Sequence, residues 1–273
     1  MTGFISIIGA GPGDPELLTV KAALRLQEAD LVLYDALVST ETLHFAPRAK
    51  CFCVGKRSGQ RSVSQETTEK LMIRAARRGE RVVRLKSGDP FVLGRGGEEA
   101  WRLTREGIPY EVIPGVSAAI SAPAAAGIPL THRGVSSGFM VTSGHSPAVY
   151  GPLIEGCPPN GLTLVFLMGT QAGPDIAKAL LRHRWLPTTP AALIFGASTP
   201  GQVAWKGTLT DLRDGPEVLD GPETRSPLPG GGKLPGTLVV GEVVALTSHI
   251  HTETPWLETP TPCYNPQSAH QGH

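Results

Sequence analysis

The sequence predicts an α/β protein organised as two α/β domains, and three observations carry that reading. Short apolar runs alternate with helical patterns along the chain, once before Pro114-Gly115 and again after it. Several of these runs end in glycine-bearing turns, the strand–turn–helix layout with which an open α/β sheet holds a ligand. At 273 residues the chain has room for one large or two modest domains. The expected division is residues 1–113 and 114–248, with 249–273 as a disordered tail.

Phe4 to Ile8 reads as a buried strand that runs into Gly9-Ala10-Gly11-Pro12-Gly13-Asp14-Pro15. Asp14 suits an N-cap and Pro15 a first helical position, so a helix is predicted from there to about Asp30. A dinucleotide fingerprint needs a small residue where Asp14 stands, and Pro12 removes an N–H that a phosphate would use. The loop therefore suits a nucleoside without phosphates better than NAD. Leu31 to Tyr34 is a second strand with Asp35 at its C-terminal end, where a carboxylate serves either as base or ligand contact, or as a cap on the next turn. Cys51 to Val54 is a third strand, followed by Gly55-Lys56-Arg57-Ser58-Gly59-Gln60-Arg61. Ser64 caps a helix from Gln65 to Arg78, and Gly79 stops it.

Residues 50–86 hold eleven cations against three acids, a local excess of eight in a protein of net charge +1. The helical members Lys70, Arg74, Arg77 and Arg78 read as a solvated face. Lys56, Arg57 and Arg61 follow a strand end and are placed to meet an anionic substrate, since Arg forks grip carboxylates in a bidentate way. The near-neutral total excludes a global pull toward nucleic acid or membrane.

The most informative stretch runs from Arg84 to Glu99. It leaves a strand at Val82-Val83, turns through Ser87, Gly88, Asp89 and Pro90, passes Val92, and closes on Gly94, Arg95, Gly96 and Gly97 before a helix from Glu98 to Glu106. Its glycines let backbone groups reach a ligand, and Asp89 can accept hydrogen bonds from ribose hydroxyls or an amine. Tyr110 to Ile113 is the last strand of the first half.

Val116 to Gly127 is a helix rich in Ala and Ser, and Ser117 and Ala118 open it with free N–H groups. Pro129 to Arg133 is an exposed turn. Phe139 to Thr142 is a strand ending at Ser143-Gly144-His145, and 146–161 reads as a Pro/Gly-rich loop. Leu162 to Leu167 is a strand with Met168 at its end, Pro174 to Arg184 a helix, and Ala191 to Phe195 a strand leading to Gly196-Ala197. Val203 to Lys206 and Thr237 to Ala245 read as further, antiparallel strands, separated by a long loop over 214–236. The four cysteines match no metal spacing and fit a reducing cytoplasm. No basic leader precedes Phe4, and no apolar run approaches the ~20 residues of a membrane span.

Six stretches then stand in one order and spacing: Gly9 to Pro15, Tyr34-Asp35, Gly55-Lys56-Arg57, Arg84 to Glu99, Gly127 to Arg133 and Gly241 to Val244. Together they resemble the tetrapyrrole methylases, and within them the uroporphyrinogen III C-methyltransferases, over residues 4–246. The resemblance implies two α/β domains with the cofactor and substrate cleft between them, S-adenosylmethionine as cofactor with S-adenosylhomocysteine as product, and a homodimer. It implies cofactor contacts at Pro12, Ser87, Gly88, Asp89, Val92, Ser117, Ala118, Met168 and Ala197. Asp35 matches a proton acceptor and Lys56 a proton donor. Arg57, Arg61, Arg95 and Arg133 are the candidate partners of substrate carboxylates, and no metal is implied. Ser87 replaces the family's usual glycine, and Ala36 an arginine that many members carry after the aspartate. The implied reaction is methylation of rings A and B of uroporphyrinogen III to precorrin-2, for sirohaem or cobalamin synthesis, with a methylase of later corrin precursors as the alternative. Methylation alone is expected, because no NAD-binding or ferrochelatase module precedes Phe4.

Overall fold

The computed structural model describes residues 3–55, 63–225, 233–248 and 250, with the backbone of 256–258. Two sheets organise them. The first contains β1 (Phe4–Gly9), β2 (Leu31–Tyr34), β3 (Lys50–Cys53), β4 (Arg81–Lys86) and β5 (Tyr110–Ile113), ordered β3-β2-β4-β1-β5. Every pairing in it is parallel. Such a sheet is buried on both faces, which is why its strands are near-continuous apolar runs. Ile8, Val32, Val83 and Leu85 pack on one face with Ala22 and Leu26 of α1 (Val20–Gln27). Ile5, Ile7, Leu33 and Val82 pack on the other with α2 (Gln65–Arg77) and α3 (Gly96–Arg105). The neighbouring strands β1 and β4 thus send their following helices, α1 and α3, to opposite faces. That divergence opens a crevice at the C-terminal ends of β1 and β4, the switch point at which open α/β sheets take ligands.

The second sheet is mixed: β6 (Phe139–Ser143), β7 (Thr163–Leu167), β8 (Pro190–Phe195), β9 (Val203–Thr208), β10 (Gly236–Val240) and β11 (Trp256–Glu258), ordered β11-β9-β8-β10-β7-β6. β6 and β7 are parallel, while β10 runs antiparallel to both β7 and β8, and β9 antiparallel to β8. α5 (Pro147–Glu155), α6 (Gly173–Arg182) and α7 (Leu209–Asp214) cover one face around Phe166, Trp185 and Trp205. α4 (Ala118–Ala125) and Ile128 cover the other through Ala122, Ala126 and Val239.

Several local expectations shift for identifiable reasons. The helix predicted from Asp14 is split. Asp14 caps only a short 3-10 turn over Pro15–Leu17, and Thr19 then accepts from the Ala22 N–H and starts α1 afresh. The loop expected over 146–161 contains α5. Ser146 caps it, Pro147 takes the first helical position where no N–H is needed, and Tyr150 and Ile154, four residues apart, are buried. The strand expected over 237–245 ends at Val240, and Glu242–Ser248 continue as 3-10 helix. The long loop over 214–236 holds 3-10 turns at Glu217–Leu219 and Pro222–Thr224. In the stretch expected to carry no structure after His249, Trp256–Glu258 pair in parallel with β9.

One polar cluster ties the first sheet to α1. Glu111 accepts from Ser6 Oγ at 3.0 Å and Arg25 Nε at 2.6 Å, and pairs with Lys21 Nζ at 2.6 Å. Burial pushes this carboxyl upward, but the donations from Lys21, Arg25 and Ser6 outweigh it and hold Glu111 below its ordinary value. A carboxyl depressed by folding adds stability above its unfolded pKa and loses it as pH falls through the folded one. Glu111→Gln is therefore expected to lower Tm by about 2–4 °C at pH 7, the shift for about 1 kcal/mol in a chain of this size. The gap between variant and wild type should close as pH falls below 4.5, the carboxyl's ordinary pKa. Thermal melts at several pH values check this, and a gap that stays constant into acid refutes it.

Candidate active site

Three strand ends of the first sheet meet on glycine. A Cβ on Gly115, just past β5, would lie 2.3 Å from the Gly88 carbonyl oxygen and 2.6 Å from Gly9 Cα. Only glycine at these crossings lets the backbones touch. The loops after β1 and β4 are also hydrogen-bonded to each other. The Gly88 N–H donates to the Gly11 carbonyl at 2.8 Å, and the Gly11 N–H to the Gly88 carbonyl at 3.2 Å. Pro12 and Asp89 are the residues that next leave this bridge on each side.

Asp89 holds the third loop. Its Oδ1 accepts from the Phe91 N–H at 2.8 Å, an Asx turn, and its Oδ2 accepts from the Gly115 N–H at 3.0 Å. Each oxygen keeps a second lone pair for a ligand. Ser117 caps α4 by accepting from the Ala119 N–H at 3.2 Å. Gly88, at φ +66°, faces this helix start, where a Cβ would come within 3.8 Å of Ser117 Cα and the Ala118 nitrogen. Ser87 is not among the positive-φ residues, so its side chain strains no backbone there.

The second sheet closes the crevice from the other side. β10 lies between β7 and β8, and its register sets Thr237 opposite Leu167 and Gly236 opposite Phe195. Met168 and Ala197, which follow those two strands, therefore share one sheet edge, about 10 Å apart across two strand spacings. Gly13 reaches that edge: a Cβ there would lie 2.9 Å from Thr199 Cγ2 and 3.4 Å from the Ala197 oxygen. Pro12, Ser87, Gly88, Asp89, Ser117, Ala118 and Ala197 are thus gathered around one crevice, and Met168, 57% exposed, stands farther along the same edge as Ala197. Val92 is in the same loop as Asp89, with its N–H directed to the Asp89 carbonyl at 3.4 Å. Four non-glycine residues in these loops, Leu93, Arg95, Met168 and Ser198, have φ between 55° and 62°. Backbone in that region costs of order 1–3 kcal/mol per residue and concentrates at binding sites.

Asp35, at the end of β2, is held from behind by a buried ionic cluster that the sequence reading missed. Arg84 donates through Nη2 to Asp35 Oδ1, through Nε to Glu99 at 2.9 Å, and through Nη1 to the Leu33 and Leu85 carbonyls, both at 3.3 Å. Lys86 Nζ sits 3.2 Å from Glu99 and 3.9 Å from Asp35 Oδ2. Gln65 of α2 donates to Glu99 at 3.0 Å. Arg84, Lys86 and Glu99 are all at most 3% exposed. Burial and the neighbouring Arg84 cation push the Lys86 ammonium below its ordinary pKa, against the pull of Glu99 and Asp35. Arg84 and Lys86 had counted toward the basic excess of residues 50–86. A signal was available: alternate positions on a strand share a face, and a strand central to a parallel sheet has no solvated face to offer them.

The remaining candidates are placed as follows. Lys56, Arg57 and Arg61 lie outside the described residues; Gly55, the last described residue before them, abuts Ala36. Arg95 occupies the position before the first residue of α3 without a capping side-chain hydrogen bond, and is paired with Glu98 at 2.6 Å on the surface. Arg133 is exposed in a turn pinned by the Thr163 hydroxyl to Ser136 at 3.1 Å. That is the start of β7, about 17 Å along the strand from Met168. Within one chain, Arg133 is not gathered with the others.

The chain is similar to known proteins along most of its length. The profile of the tetrapyrrole (corrin/porphyrin) methylases matches residues 5–213. The chain is 43% identical over 247 residues to the uroporphyrinogen-III C-methyltransferase of Methanocaldococcus jannaschii, covering 89% of this chain and 98% of that one. It is 44% identical over 250 residues to sirohaem synthase 1 of Yersinia enterocolitica, of which it spans 50%. Among solved structures, the uroporphyrin-III C-methyltransferase of Thermus thermophilus complexed with S-adenosylhomocysteine superposes with a TM-score of 0.72 at 39% identity, covering 89% of this chain and all of that one.

Proposed function

The chain belongs to the tetrapyrrole methylase family, and from that membership we propose that it methylates uroporphyrinogen III on rings A and B, with S-adenosylmethionine as donor, to give precorrin-2. The observation that carries this reading is the single crevice that joins the loops after β1 and β4, the start of α4 and the Met168–Ala197 edge. Its chemistry suits a nucleoside sulfonium. Pro12 offers no N–H for a phosphate. Gly88 leaves space in front of Ser117 and Ala118 that a side chain would fill. Asp89 supplies an anion with free lone pairs, as ribose hydroxyls or an amine require. Pro12, Ser87, Gly88, Asp89, Val92, Ser117, Ala118, Met168 and Ala197 would hold the cofactor.

When bound, S-adenosylmethionine supplies an electrophilic methyl group to a pyrrole carbon of the electron-rich macrocycle. The protein's task is alignment and exclusion of water, worth ~7–11 kcal/mol when geometry is good. Asp35, part-exposed at the crevice with its rear fixed by Arg84, accepts the proton lost as the ring readjusts, and Lys56 donates one. Arg57, Arg61 and Arg95 grip the substrate's peripheral carboxylates. Arg95 would exchange Glu98 for substrate. Arg133, at the far end of β7, would need a second chain to reach a site. We read residues 1–113 and 114–248 as the two domains, the assembly as a homodimer and the compartment as the cytoplasm. No helix among the described residues is long and apolar enough to cross a membrane. The chain spans about half the length of the sirohaem synthases it matches, and the half it matches is the one we assign to methylation.

Incubation with uroporphyrinogen III and S-adenosylmethionine under reducing conditions is expected to yield mono- and then dimethylated product by mass. Turnover of a later corrin precursor, with none of uroporphyrinogen III, would replace this reading by the alternative.

A further inference from the structure

We propose that Arg84, Glu99 and Lys86 are positioning residues, a buried relay that locks the Asp35 carboxylate to the loop carrying the cofactor contacts. This rests on the assignment of Asp35 as proton acceptor, and it concerns three side chains that touch neither cofactor nor substrate in that assignment.

The geometry is over-determined for a structural filler. Arg84 bridges two carboxylates, Asp35 at the end of β2 and Glu99 in the first turn of α3, and its third nitrogen is spent on two backbone carbonyls. No rotamer freedom remains in such a fork. Glu99 follows two residues after Gly97, where the loop of Ser87, Gly88, Asp89 and Val92 ends, and lies at the helix N-terminus that favours an anion. Lys86 faces both carboxylates from β4, and Gln65 closes the cluster from α2. Movement of α3 and its loop is therefore transmitted to Asp35 through the Arg84 guanidinium and, at longer range, the Lys86 ammonium.

Energetics point the same way. Moving charges into the interior costs several kcal/mol per ion, and apolar residues of similar volume often stabilise a core as well or better. The other strand positions of this face, Ile5, Ile7, Leu33 and Val82, are such residues. Lys86 and Asp35 stand at strand ends beside the crevice, Arg84 lies level with Ile7 and Leu33, and Glu99 reaches in from α3. Two cations and two carboxylates joined on an otherwise apolar face fit a demand for orientation over one for stability.

The test is a double-mutant cycle in the full chain. Arg84→Lys keeps the charge but cannot bridge two carboxylates, and Glu99→Gln keeps the shape but weakens the bridge. Each is expected to lower kcat about 10- to 100-fold, the effect of misplacing a catalytic group by about 1 Å. The S-adenosylhomocysteine Kd and the KM for the macrocycle should move by less than about twofold, since binding groups are untouched. In an Asp35→Asn background, which should itself be slow, neither variant should lower kcat further. Multiplicative losses in that background, or a loss of cofactor affinity that tracks kcat, would overturn the proposal and leave Asp35 standing. An Asp35→Asn enzyme with wild-type kcat would instead remove the Asp35 assignment and the relay with it. Should Arg84→Lys not fold, the Glu99→Gln arm decides alone.

Discussion

Gly115→Ala is expected to abolish cofactor binding, with the S-adenosylhomocysteine Kd raised at least about 100-fold in calorimetry, a loss of about 2.7 kcal/mol. The reason is steric and local. The new Cβ would sit 2.3 Å from the Gly88 oxygen, 2.6 Å from Gly9 Cα and 2.7 Å from Gly9 C. All three are backbone atoms, so no side chain can rotate away. Relief requires either that the end of β5 withdraws, or that the reciprocal Gly11–Gly88 hydrogen bonds part. Withdrawal pulls the Gly115 N–H off Asp89 Oδ2 and drags Ser117, two residues on, from its place opposite Gly88. Parting moves Pro12 from Asp89. Either route dismantles the crevice, while most of both cores is untouched. Overpacking costs about 1–3 kcal/mol in ordinary cores, so the variant should still fold, with a lowered Tm. Gly151→Ala is the control. That glycine lies inside α5 with nothing within 4 Å of its added Cβ, and alanine there should stabilise by about 0.5–1 kcal/mol. Wild-type affinity in Gly115→Ala would mean that the crevice at β1, β4 and β5 does not hold the cofactor.

The parts of this site that were legible in the sequence share one property: their function needs a backbone shape that few residues permit. Gly9, Gly11 and Gly88 announce close approach and turns, and Asp14 and Ser64 announce caps, because local sterics and local hydrogen bonds select them. Ser146-Pro147 carried the same kind of signal for α5, masked by the prolines and glycines around it. The ionic cluster was not legible, since its meaning depends on which strands flank β4. With β2 and β1 on either side and helices on both faces, Arg84 and Lys86 have no water to meet. At an edge strand the same two residues would have been a solvated basic patch. The fact that separates the cases is tertiary, and composition over 50–86 averages it away.

Asp35→Asn is expected to lower kcat about 10²- to 10⁴-fold, the usual worth of a positioned proton acceptor, with cofactor affinity retained. The amide keeps the shape and can still accept from Arg84 through its oxygen. It cannot take up a proton from the ring. The substitution also disturbs a charge balance. Arg84 and Lys86 face Asp35 and Glu99, two cations against two anions, and asparagine leaves one cation in excess behind the crevice. Removing one partner of a fully buried pair costs about 3–5 kcal/mol. The Asp35 side chain is 29% exposed, so the loss here should be smaller, and visible as a lower Tm. The two consequences separate experimentally. A merely unstable enzyme recovers its kcat per folded molecule, counted by S-adenosylhomocysteine binding sites, at low temperature. A chemically impaired one does not. A kcat per folded molecule within about threefold of wild type would show that the proton leaves by another group, since a general base contributes at least about 100-fold.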